Sequence, residues 1–124
     1  MKVTDVKAEI YNWPRKVPIR NGLHTYGTSG LSVTKIETDE GVTGIGLGRD
    51  IRDAPDVGIA IHNHFKQFVI GEDPFDTEKI WHKLWVPKLV GRRGITTRVI
   101  SGIDLALWDI KGKIANRSVH KLLG

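Results

Sequence analysis

The 124-residue sequence predicts an α+β fold: a three-stranded antiparallel meander followed by three to four helices. Three observations carry this. Apolar and polar residues alternate through much of the first 48 positions, the period of half-buried strands. From position 55 apolar residues recur at steps of three and four, the period of a helix. All strand signals precede all helix signals, an order that stacks helices on one side of a small sheet.

In residues 2–13, Val3, Val6, Ala8, Ile10 and Tyr11 interleave with Lys2, Asp5, Lys7, Glu9 and Asn12, a strand closed by Trp13-Pro14. Residues 15–30 read as a loop of about sixteen residues, long enough to suggest function or mobility. Leu31 to Thr38 alternate with period two, Asp39-Glu40-Gly41 is a turn, and Val42 to Gly48 return as the third strand. A second loop starts at Arg49. A helix then runs from about Pro55 to Val69, with Val57, Ile61, Phe65 and Phe68 on its apolar face. Gly71 to Pro74 break it. Asp73 as N-cap and Pro74 as first helical residue open the next helix, which presents Ile80, Trp81, Leu84 and Trp85 and ends at Val86-Pro87.

The longest helix follows Gly94. Ile95, Val99, Ile103, Ala106, Leu107, Ile110 and Ile114 share one face over about six turns. Asp109 and Lys113 have the favourable acid-before-base spacing. Asn116-Arg117-Ser118 stops the helix, and Val119, Leu122 and Leu123 begin an apolar pattern that stays unfinished.

A chain of this size makes one domain. It contains no cysteine, which excludes disulfides, thiolate metal sites and cysteine nucleophiles from these residues. The N-terminus has no signal-peptide core, and no apolar run approaches the roughly 20 residues of a membrane span. The expected location is the cytoplasm, with no membrane partner. Net charge is +5, but the basic residues are spread from Lys2 to Lys121. That spread favours a solvated surface over nucleic-acid binding.

Several constellations have a plain structural reading. Gly44-Ile45-Gly46-Leu47-Gly48 is half of a dinucleotide fingerprint, yet its glycines lie inside a strand and no helix opens from it. Glycines there suit close approach of another backbone. His62 and His64 sit two apart on a helix, about 200° around, so they cannot share a metal and read as exposed flank residues. Trp81, Trp85 and Trp108 have the spacing of helix packing. Lys88, Arg92, Arg93 and Arg98 form the densest basic group, read as a solvated face.

Ile103-Asp104-Leu105-Ala106-Leu107-Trp108-Asp109-Ile110-Lys111-Gly112-Lys113, followed by Lys121-Leu122-Leu123-Gly124, resembles the end of an enolase-superfamily capping domain. The branch is that of mandelate racemase and muconate lactonising enzyme. The resemblance implies a capping domain over 1–124: a meander with specificity loops (1–49), a helical part (54–116) and the start of a connection (117–124). The partner it implies is the enzyme's own (β/α) barrel, absent from this chain, which would hold magnesium and the acid/base residues. Catalytic and metal residues are therefore expected outside this sequence, and Lys111-Gly112-Lys113, on a helix, is not the barrel's Lys-x-Lys base.

The resemblance further implies two loops that close over the barrel and select the substrate. By position these contain Arg20, His24 and Tyr26 in the first and Arg49 in the second. The implied parent removes the α-proton of a carboxylate substrate as an acid-sugar dehydratase, with racemase, epimerase or cycloisomerase as alternatives, and works as a homo-oligomer. A different class, a free-standing basic nucleic-acid-binding or interaction module, is the remaining alternative.

Overall fold

A computed structural model describes residues 1–48, 55–85 and 94–124. The alternating segments form β1 (Val3–Arg20), β2 (Thr25–Thr38) and β3 (Thr43–Gly48), an antiparallel sheet in the order β1-β2-β3. The meander closes at Gly41, whose φ of 76° only glycine adopts readily, with the Thr38 N–H donating to the Val42 carbonyl at 3.1 Å. Helices α1 (Pro55–Val69), α2 (Thr77–Trp85), α3 (Ile95–Ile114) and the short α4 (Val119–Leu123) follow.

One face of the sheet and one face of each longer helix close a single core. Val3, Val6 and Ile36 meet Phe65 and Val69 of α1, Ile80 and Leu84 of α2, and Val99, Ile103, Ala106, Leu107 and Ile110 of α3. Each of these valine, leucine, isoleucine and phenylalanine side chains gives about 1.5–3 kcal/mol when fully buried. Helix α3 lies against β3 because glycine lets it. A methyl group on Gly46 would overlap the Gly102 carbonyl oxygen, and one on Gly44 would overlap that of Ala106. The strand glycines thus serve close backbone approach, as their setting in the sequence predicts.

α3 also finishes the sheet's outer edge. The Asp109 carboxylate accepts the Ile45 N–H at 2.8 Å, while the Lys113 ammonium donates to the Thr43 carbonyl at 2.7 Å. The two side chains pair with each other at 2.6 Å, so the helical i, i+4 pair is also an edge-strand cap.

Three expectations are corrected. The strand predicted to close at Trp13-Pro14 continues to Arg20, and the predicted loop 15–30 is mostly strand: Trp13 pairs with Ser29, Pro14 with Thr28, Ile19 with Tyr26 and Arg20 with Thr25. Proline is tolerated because β1 is an edge strand, and a register irregularity between Pro14 and Ile19 takes up Pro18. Asp73 does not cap α2. Its carboxylate accepts the Phe75 N–H at 2.9 Å in a local turn, and the helix starts at Thr77, with the Asp76 carbonyl receiving the Ile80 N–H. His62 is buried, not on an exposed flank. The inner face of α1 is Gly58, His62, Phe65 and Val69, about one residue round from the predicted stripe, and Val57 is exposed. The predicted stop at Val86-Pro87, Arg49 and the basic residues Lys88, Arg92 and Arg93 lie outside the described residues.

Candidate functional site

The β1–β2 hairpin is longer than the sheet. β3 ends at Gly48, opposite Ser32, whereas β2 begins seven residues earlier at Thr25. Residues 12–31 therefore project roughly 23 Å beyond β3 as a two-stranded ribbon. Its exposed apolar side chains are Trp13, Val17, Ile19 and Leu23. Such ribbons are marginal in water on their own.

Asn21 organises the turn at the tip. Its carboxamide oxygen accepts the N–H groups of Leu23 and His24 at 3.0 and 2.8 Å. Its own N–H donates to the His24 carbonyl at 3.0 Å, and its amide nitrogen donates to the Tyr26 hydroxyl at 3.2 Å. The rings of His24 and Tyr26 stand 6.1 Å apart, tilted by 60°. Asn21, His24 and Tyr26 thus form one polar cluster.

Arg20 is displaced from them. It pairs with Thr25, one step out of phase with the Ile19–Tyr26 pair, so its side chain leaves from the other side of the ribbon. Of the predicted specificity residues, the fold brings His24 and Tyr26 together and sets Arg20 behind them. Asn21 lies within the stretch that the sequence predicts as a loop, with no role of its own. Its Asn-Gly pairing with Gly22, between flanking residues that favour strands, was the signal for a tight hairpin.

The ribbon's charge has one sign. Arg15, Lys16 and Arg20 are basic, and no acidic residue occurs between Ile10 and Ile36. Arg15 is tied along the arm through its Nε–H to the Thr28 carbonyl at 3.1 Å. At the sheet end the charges are instead neutralised in pairs, Lys7 with Glu37 at 2.8 Å and Lys35 with Glu9 at 2.6 Å. The arm's cationic groups and tip donors suit a hydroxylated anion. Among the described residues, no three His, Asp or Glu side chains gather as metal ligands, so these residues do not fit a magnesium site. None of the described helices is long and apolar enough to cross a membrane.

Comparison with known proteins bears on this geometry. The sequence profile of the mandelate racemase/muconate lactonizing enzyme N-terminal domain matches residues 3–124. D-galactarolactone cycloisomerase of Agrobacterium fabrum is 35% identical over all of this chain and 32% of its own length. L-talarate/galactarate dehydratase of Salmonella typhimurium is 40% identical over 76% of this chain and 24% of its own length. The crystal structure of L-talarate dehydratase from Polaromonas sp. JS666, complexed with Mg and L-glucarate, superposes with a TM-score of 0.87. Its identity is 32%, over 99% of this chain and 35% of that one. The chain therefore spans about a third of the length of these relatives. By sequence profile, fold and shared identity, it belongs to the mandelate racemase/muconate lactonizing enzyme N-terminal domain family of the enolase superfamily.

Proposed function

We propose that this chain is the substrate-selecting cap of a magnesium-dependent acid-sugar dehydratase that removes the proton next to a carboxylate. The observation that carries the reading is the cationic, acid-free hairpin arm projecting beyond a family capping fold. Relatives named as dehydratases of galactonate, arabinonate and talarate/galactarate support the substrate class. The whole-chain match to a cycloisomerase supports that activity as the second reading.

In this reading residues 1–49 carry the specificity loops, 54–116 the helical support, and 117–124 the start of a connection to a (β/α) barrel. Arg20 steers the substrate anion, His24 hydrogen-bonds it, Tyr26 forms a wall held by Asn21, and Arg49 contributes from the second loop. Magnesium belongs to the barrel, where it stabilises charge on the carboxylate as the proton leaves. The cap's own work is to bind, orient and exclude water. The parent is a cytoplasmic homo-oligomer.

The test is kinetic, in the parent protein. His24→Ala should lower kcat/KM for acid sugars about 10- to 100-fold, the cost of a charge-assisted hydrogen bond, and change their ranking. The melting temperature should stay unchanged. Unaltered kcat/KM and ranking would sink the assignment, and product analysis separates the dehydrated acid from a cycloisomerised one.

A further inference from the structure

We propose that the cleft between α2 and α3 is a binding site for an organic monocation, an alkylguanidinium or alkylammonium group. It shares no residue with the hairpin arm and does not depend on the reading above. The cleft holds about 220 Å³, lined by Thr77, Glu78, Trp81 and His82 of α2 and by Asp104 and Trp108 of α3. That is room for about seven waters, or for a planar cation with part of its alkyl stem.

The walls favour a cation in two independent ways. Indole rings attract positive charge through the ring quadrupole, and one lines each side: Trp81, with one face stacked on Trp85 at 5.0 Å, and Trp108, with one face against Lys111. The acidic lining, Glu78 and Asp104, disfavours an anion. Asp104 is the sharper sign. It is half-buried and takes part in no hydrogen bond or ion pair among the described residues. Burial raises its pKa, with Lys111 opposing more weakly. A carboxylate in that setting lacks the donor that would offset its desolvation.

Among the described residues the neighbouring lysines are already engaged. The Lys111 ammonium donates to Thr77 Oγ1 at 2.9 Å and stands 4.6 Å from the centre of the Trp108 ring. It shows that this indole accepts a cation, and it can balance only one of the two acids. Lys79 and Lys83 are both paired with Glu72. Among the described residues, one negative charge in an aromatic cleft is thus left for an incoming group. That group comes either from an arginine or lysine on another polypeptide segment or from a free small cation.

NMR of the indole N–H groups tests this on the 124-residue protein, titrated with N-acetyl-arginine methylamide, the free monocation n-butylguanidinium and neutral N-acetyl-glutamine methylamide. Saturable millimolar shifts at Trp81 and Trp108 are expected with the cations and none with the neutral analogue. Binding should weaken at least fivefold in Asp104→Asn, whose melting temperature should equal or exceed that of the unmodified protein. The capped arginine binding at least as tightly as butylguanidinium assigns a polypeptide source; butylguanidinium alone assigns a free cation. Non-saturating shifts, equal shifts with the glutamine analogue, or unchanged affinity in Asp104→Asn overturn the site.

Discussion

His62, on the inner face of α1, is 3% exposed, with Nε2 3.4 Å from Thr34 Oγ1 and no partner for Nδ1 among the described residues. Burial lowers its pKa from 6.5 to about 4. The unfolded chain therefore takes up this proton near pH 6.5 while the folded chain resists until about pH 4. Its effect on stability is absent above pH 6.5 and grows as pH falls towards 4. Between pH 7 and 5 it should remove about 2 kcal/mol, before the carboxylates titrate. Urea unfolding at the two pH values measures this, and in His62→Leu the difference should largely vanish. At Gly46 a single methyl group should cost about 3 kcal/mol, because backbone sits where it would go; the urea midpoint of Gly46→Ala checks it. The role of Gly46 was legible because a glycine inside a strand has few purposes. His62 was not, because periodicity finds an apolar stripe but the surface α1 packs against decides which neighbours are covered.

At the scale of elements, the pair Asp109 and Lys113 joins helix to sheet. Asp109→Ala leaves the Ile45 N–H without its acceptor and Lys113 without its ion-pair partner, though still bonded to the Thr43 carbonyl, and should cost about 1 kcal/mol. The Ile45 amide should exchange with solvent faster than in the unmodified protein, and unchanged exchange would mean that water replaces the cap. Spacing along the helix revealed the ion pair but not its second duty, since the Ile45 amide is 64 residues away in sequence. The hairpin differs from the loop that the sequence predicts for a related reason. Pro14 and Pro18 argue against a strand unless it lies at an edge, and edge position is a property of the sheet.

Across the whole molecule, charge is divided between a sheet end with paired acids and bases and an arm with bases alone. Replacing Arg15, Lys16 and Arg20 with glutamine in the parent enzyme should lower kcat/KM for acid sugars. It should also flatten the dependence of kcat/KM on ionic strength, since steering by exposed charge is screened by salt. A salt dependence equal to that of the unmodified enzyme would place recognition elsewhere.

Alternation, helical period and the order of elements were enough to determine the class of fold, the meander and the long helix. The spaced motif from Ile103 to Gly124 was enough to point to the family. These are local or short-range properties, written in consecutive residues. Tertiary structure alone decided that His62 is buried, that the hairpin overhangs the sheet, that Asp109 and Lys113 cap β3, and that Asp104 faces an aromatic cleft. Each depends on which surfaces meet across long stretches of chain, and periodicity within a segment says nothing about its partner.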